Sequence, residues 1–133
     1  MVLTDGNGLP LSAEVHSASP AEVTLIEDLI DHQKVEGTPE HLIYDRAADS
    51  DPLRERLKER GIDLVCPHRR SRKKPPTQDR RKLRRYKRRY RIERTNSWLQ
   101  NFKRLICRME HKVHNYVGLV QLACAMIVMR QFV

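Results

Sequence analysis

The sequence predicts a mixed α/β fold with flanking helices and a long basic helix near its C-terminal end. Three observations lead there. Short apolar or alternating runs, punctuated by Gly, Asn, Asp and Pro, recur through residues 1–67 and read as strands, with helically spaced apolar segments between them. The order β-β-α-β-α-β implies parallel crossovers within one sheet, to which a leading hairpin adds an antiparallel part. Residues 80–109 then hold neither Gly nor Pro and are crowded with Arg, Lys and Leu, all good helix formers.

The elements follow in order. Val2-Leu3-Thr4 runs into Asp5-Gly6-Asn7-Gly8 and then into the alternating segment 9–16, a hairpin pattern. Ser19 as N-cap, Pro20 at the first helical position and Glu22 at the third open a helix that carries Val23, Leu25, Ile26, Leu29 and Ile30 inward and ends near Gly37. Residues 41–44 form a short strand with Asp45 at its carboxyl end, where Asp is most often a turn starter. Asp51 as cap, Pro52 and Glu55 begin a second helix over 52–60, which Gly61 stops. Residues 62–67 are a further strand. Residues 69–80 form a basic linker whose Pro75-Pro76 pair and lack of apolar residues keep it off the core, mobile without a polyanion.

The basic helix spans 80–109. On a helical projection Trp98, Leu99, Phe102, Leu105, Ile106 and Met109 form an apolar stripe. Tyr86, Glu93, Ser97, Gln100 and Arg104 fall nearly opposite, with Arg89 at the edge. Glu93 is thus a lone carboxylate among cations, open to two readings, charge balance or chemistry. A break at His114-Asn115-Tyr116 precedes a final apolar helix over 117–133, read as core packing or self-association. The expected organisation is an α/β core over 1–68, the linker over 69–80 and C-terminal helices over 81–133.

Charge is unevenly placed along the 133 residues. Residues 1–51 carry eleven acids and two bases, hence −9, and residues 52–133 carry six acids and twenty-four bases, hence +18. Fifteen bases fall in the 26 positions 69–94. Such asymmetry points to a polyanionic partner, most often nucleic acid. Cys66, Cys107 and Cys124 cannot all pair and lack C-x-x-C spacing, which fits a reducing, cytoplasmic setting. Neither His111 with His114 nor Cys66-Pro67-His68 makes a four-ligand zinc pattern. The longest nearly apolar run, 117–129, is 13 residues, short of the ~20 a membrane-spanning helix needs.

Residues 41–65 and 69–104 closely resemble the C-terminal half of insertion-sequence transposases of the DDE type, specifically the insertion-sequence-five family. The family's most specific pattern is Tyr-x2-Arg-x3-Glu-x6-Lys. Here it reads Tyr86, Arg89, Glu93 and then Gln100 in place of Lys, with Lys103 nearby. Asp45 matches the family's second catalytic Asp, in a segment usually written Asp-Lys-Ala-Tyr-Asp-Ser-Asp; Ala48 stands where Tyr is common. The resemblance implies a ribonuclease-H-like fold in which three carboxylates hold two Mg²⁺ or Mn²⁺ ions for in-line attack on DNA phosphate. It makes Asp45 and Glu93 catalytic metal ligands. DNA contacts are expected from Arg69, Arg70, Arg72, Lys73, Lys74, Tyr86, Arg89, Arg94, Lys103 and Arg104.

The first catalytic Asp of that fold lies on the strand before the hairpin. Asp5 sits in the hairpin turn, at the wrong point of the topology, so the first strand is expected upstream, in cis or in trans, and the chain alone is expected to be inactive. The partners implied are transposon-end DNA, that upstream segment and a homo-oligomer, with no membrane, in a nucleoid-associated setting. The alternative is a non-catalytic nucleic-acid-binding fragment or regulator of transposition.

Overall fold

The computed structural model describes residues 1–132. The mixed α/β composition holds, but the strands do not form one sheet. Strands β1 (Val2–Thr4) and β2 (Pro10–Ala13) make an antiparallel pair. Strands β3 (His41–Ile43) and β4 (Asp63–Val65) make a separate parallel pair. Each strand is three or four residues long. The chain divides into two compact units: one holds residues 1–20, 28–35 and 90–133, the other 21–27 and 36–89. Helix α1 (Glu22–Asp31) contributes its first residues to the second unit and its last to the first.

In the unit that contains β3 and β4, the core is aliphatic. Ile26, Leu42, Leu53, Leu57, Ile62, Leu64 and Val65 are buried, each worth roughly 1.5–3 kcal/mol relative to exposure. Helix α2 (Asp51–Glu59) connects the two parallel strands. Its N-cap is Ser50, whose hydroxyl accepts from the Leu53 amide at 3.5 Å, one position earlier than expected. The expected cap, Asp51, has its carboxylate engaged by Arg72 instead. The helix ends as its sequence dictates. Gly61 takes φ +77°, its amide donates to the Lys58 carbonyl, and the Ile62 amide donates back to Leu57. This is the Schellman arrangement, and it buries Ile62 and Leu57 at the exit.

The expected single helix over 80–109 is several pieces. Asp79 caps α3 (Arg80–Leu83) through the Lys82 amide at 2.8 Å. A 3-10 stretch, Arg84–Arg89, follows and packs beside β3. Dense like charge weakens α-helical turns. The 3-10 geometry also eclipses residues three apart, so that the Tyr86 hydroxyl accepts from Arg89 Nη1 at 2.9 Å.

In the other unit, α4 (Tyr90–Gln100) ends in tight turns, Asn101 to Trp98 and Phe102 to Leu99. Short α5 (Lys103–Ile106) and long α6 (Val113–Met129) then pack back on α4. A straight helix would have carried its apolar stripe into solvent. Folding back half-buries Trp98, Leu99, Phe102 and Leu105, while Ile106 and Met109 stay exposed. His114-Asn115-Tyr116 is the first turn of α6 rather than a break; the Tyr116 hydroxyl donates to the Leu105 carbonyl at 2.9 Å. Val133, the last residue of the expected final helix, lies outside the described residues.

Helix α1 also ends earlier than expected. Its periodicity continues only to Asp31, the Lys34 amide donates to the Leu11 carbonyl, and His32 Nδ1 meets Glu14 Oε1 at 2.5 Å. Among the described residues no helix is long and apolar enough to cross a membrane.

Candidate nucleic-acid interface and carboxylate sites

Asp45 lies two residues past the end of β3 and is half-buried. Its backbone is extended, and its Oδ1 accepts from the Ala47 amide at 2.8 Å, capping a 3-10 turn, Arg46–Ala48. The turn-starting role of Asp is therefore real. It orients the carboxylate, and no backbone amide among the described residues donates to the second oxygen. Tyr44, just before it, donates to Glu22 Oε2 at 3.0 Å; burial first, then Glu22, pushes the Tyr44 hydroxyl pKa well up.

Around this turn lies a charge cluster that reading the sequence missed. The Asp49 side chain is 3% exposed. Its Oδ1 accepts from His68 Nδ1 at 2.8 Å and Arg54 Nη2 at 3.0 Å, and its Oδ2 from the Arg69 amide at 2.8 Å. Burial works to raise its pKa, but the Arg69 amide, His68 and Arg54 outweigh this and lower it to about 2. Arg54 also donates to the carbonyls of Leu64 and Cys66 and to Cys66 Sγ. Cys66 is a buried thiol whose pKa is raised by desolvation. Asp51 receives Arg72 as a two-pronged fork at 2.8 and 3.1 Å, with Lys74 at 3.5 Å.

Segment 69–80 is accordingly anchored by polar contacts, although it lacks apolar residues. Arg72 also reaches the Pro75 carbonyl, the Thr77 amide donates to His68 Nε2, and Gln78 donates to the Cys66 carbonyl. Arg69 turns back on the Asp45 turn: Nε donates to the Arg46 carbonyl at 3.2 Å and Nη2 to the Ala47 carbonyl at 2.9 Å. The guanidinium groups of Arg69 and Arg72 thus have intramolecular partners, whereas the Arg70 and Lys73 side chains lie exposed and Lys74 is 75% exposed. An open cleft of about 580 Å³ is lined by Asp49, Asp51, Arg69, Arg72, Lys73 and Lys74 among others.

The same unit holds Tyr86 and Arg89, hydrogen-bonded as described, with the guanidinium 5.9 Å from the ring centroid. Glu93 is exposed on α4, in the other unit. Arg94, one residue on, donates to the Asn7 carbonyl and lies 4.9 Å over the Trp98 ring. Buried Thr95 donates to the Gly8 carbonyl. These two contacts fix α4 to the hairpin turn, where Gly8 has φ +85° and a β-carbon would meet the Arg91 carbonyl at 3.1 Å. Lys103 is exposed at the start of α5, and Arg104, 74% exposed, lies 3.7 Å from Glu110. Asp5 serves the hairpin turn, its Oδ1 accepting from the amides of Asn7 and Leu9 at 2.8 Å each. Cys66, Cys107 and Cys124 are free thiols. Among the described residues no group of three or more His, Cys, Asp or Glu is arranged to hold a metal ion.

Comparison with known proteins assigns the chain. The family model described as "Transposase DDE domain" matches residues 1–128. The protein named "Putative transposase for insertion sequence element IS402", from Burkholderia cepacia, is 34% identical over 134 residues, covering 95% of this chain and 60% of that protein. The chain therefore spans about 60% of the length of this curated relative. No solved structure matches the chain. With nearly its whole length matched by that model, and a relative of this identity, the chain belongs to the family of DDE transposase domains.

Proposed function

We propose that this chain is the C-terminal part of a ribonuclease-H-like catalytic domain, of the insertion-sequence-five type, that binds transposon-end DNA and contributes two carboxylates to phosphodiester cleavage and strand transfer. The observation that carries this reading is Asp45: a half-buried carboxylate at the carboxyl end of a parallel strand, held by a backbone amide, in the unit that also holds the Tyr86–Arg89 pair. Its donor chemistry suits a hard divalent ion such as Mg²⁺ or Mn²⁺, which prefers carboxylate oxygen. Asp45 and Glu93 are the residues that would hold such ions. The chemistry thereby supplied is activation of water or a 3′-hydroxyl and stabilisation of the leaving oxygen.

The chain's other residues bind and orient. Arg89, steadied by Tyr86, presents a planar fork suited to phosphate. Arg70, Lys73, Lys74, Lys103 and Arg104 are exposed cations for the DNA backbone, with Arg69, Arg72 and Arg94 shaping the surfaces that carry them. Phosphate contacts of this kind position DNA without reading its sequence. A second reading, a non-catalytic nucleic-acid-binding fragment or regulator, is favoured by the use of Asp5 as a turn acceptor, which leaves two assigned carboxylates where the chemistry calls for three.

The test is titration of the chain with transposon-end DNA across salt. With about 6–10 phosphates neutralised, affinity falls ~10³–10⁵-fold between 50 and 200 mM salt. Salt-independent affinity would remove the phosphate-binding reading. Cleavage in Mg²⁺ is expected once an upstream strand bearing the third carboxylate is supplied, and nicking by residues 1–133 alone would count against the assignment of roles.

A further inference from the structure

Arg69, expected from the charge pattern only as a DNA contact, also makes bonds within the chain that neither that pattern nor the family pattern assigns. Its amide is held by Asp49 Oδ2 at 2.8 Å, and its side chain folds back to the carbonyls of Arg46 and Ala47 at 3.2 and 2.9 Å. Those carbonyls belong to the three-residue turn capped by Asp45. Ala47 is therefore gripped at both ends: its N–H by the Asp45 carboxylate and its C=O by Arg69. The Arg46 carbonyl also accepts from the Asp49 amide at 3.3 Å, so Arg69 and Asp49 close the turn together. A guanidinium carries five N–H donors in a rigid fork. Two serve the turn, and the residue is exposed. Its Nη1 donors make no hydrogen bond with the described residues.

We propose that Arg69 is a positioning residue for Asp45, bridging a DNA phosphate to the turn that orients this carboxylate, so that seating DNA on the basic segment stiffens the Asp45 site. The inference rests on the DNA-binding reading above for its phosphate half only. Fastening of the turn stands on the protein geometry alone. Lysine cannot replace arginine in this role, because it is a point charge and not a planar fork able to serve two carbonyls and a phosphate together.

The test is amide hydrogen exchange at Ala47, Ala48 and Asp49 in the full chain, followed by NMR, for wild type, Arg69→Lys and Arg69→Ala, with circular dichroism confirming the fold of each. In the absence of DNA both variants are expected to exchange these amides about tenfold faster. Unchanged exchange in both variants overturns the fastening. Arg69→Lys keeps the wild-type salt slope of DNA binding, and Arg69→Ala lowers it by about 1; an unchanged slope in Arg69→Ala overturns the phosphate contact. Adding DNA slows exchange in wild type but not in Arg69→Ala. Equal slowing in the two overturns the bridge. If wild type binds no DNA at 50 mM salt, the functional reading and the phosphate half fall together, while the DNA-free comparison still decides whether Arg69 holds the turn.

Discussion

Replacing Asp49 by Asn tests how firmly the loop bearing Asp45 is tied to the basic segment. The side chain is 3% exposed and takes one bond each from Arg54, His68 and the Arg69 amide. Removing one partner of a buried ion pair costs about 3–5 kcal/mol when the other is stranded. Arg54 is not stranded, since it keeps the carbonyls of Leu64 and Cys66, so the lower part of that range applies. Linkage gives an independent figure. Lowering the pKa from 3.8 to about 2 corresponds to about 2 kcal/mol favouring the folded state at neutral pH. Because the folded pKa is the depressed one, this stabilisation is complete above the unfolded value and disappears as pH falls through about 2. At pH 3 about 1 kcal/mol of it is already gone. Urea unfolding of wild type and Asp49→Asn should therefore show a gap of about 2 kcal/mol at pH 7 and pH 5, shrinking to about 1 at pH 3. A gap below about 0.5 kcal/mol at pH 7, or one that stays constant down to pH 3, would refute the reasoning.

Three further outcomes are expected. Gly8→Ala should destabilise by roughly 1–3 kcal/mol, because φ +85° strains any β-carbon and this one meets the Arg91 carbonyl and Thr95 hydroxyl; thermal unfolding at a wild-type midpoint would contradict it. Tyr86→Phe should cost about 1 kcal/mol by removing the Arg89 acceptor while leaving the salt slope unchanged, whereas Arg89→Ala should lower the slope by about 1. Glu93→Gln should leave DNA affinity equal or slightly raised and abolish Mg²⁺- or Mn²⁺-dependent cleavage by the completed enzyme; surviving cleavage would return Glu93 to charge balance.

Local signals translated well into local structure. The Asp5-Gly6-Asn7-Gly8 turn and the stop of the second helix at Gly61 are where their conformational preferences put them, and the start of that helix is one residue earlier than expected, at Asp51. The errors are tertiary. A Gly- and Pro-free run suggested one helix, but propensity is weak beside packing, and α5 and α6 turn back on α4 to cover Trp98 and Leu99. Three-residue strands carry too little pattern to say which sheet they join.

The Asp49 cluster was within reach. A parallel pair in which His41 faces Asp63 and Ile43 faces Val65 brings residue i beside i+22. The same offset continued past both strands places Asp49 and Asp51 among residues 68–73. The contacts found, at separations of 19 to 23, follow that rule. Reading Asp51 only as a helix cap concealed it.

The hairpin has a consequence for the order in which the chain folds. The Asp49 contacts span 5, 19 and 20 residues, so the unit built on β3, α2 and β4 can close soon after residue 78 has been synthesised. The hairpin precedes that unit in the chain, yet its anchor to α4, Thr95 on Gly8, spans 87 residues. Each doubling of a loop adds only about 0.6 kcal/mol of closure entropy, so the final stability suffers little. Timing suffers more, because long-range contacts form late. From synthesis of residue 13 until α4 arrives, the turn joining β1 and β2 lacks this anchor, and an uncovered edge of the pair is a template for pairing with a neighbouring strand. The hairpin is thus made well before the helix that secures its turn, and a ribosome pausing between residues 78 and 95 would prolong the interval in which nascent chains can join one another through it.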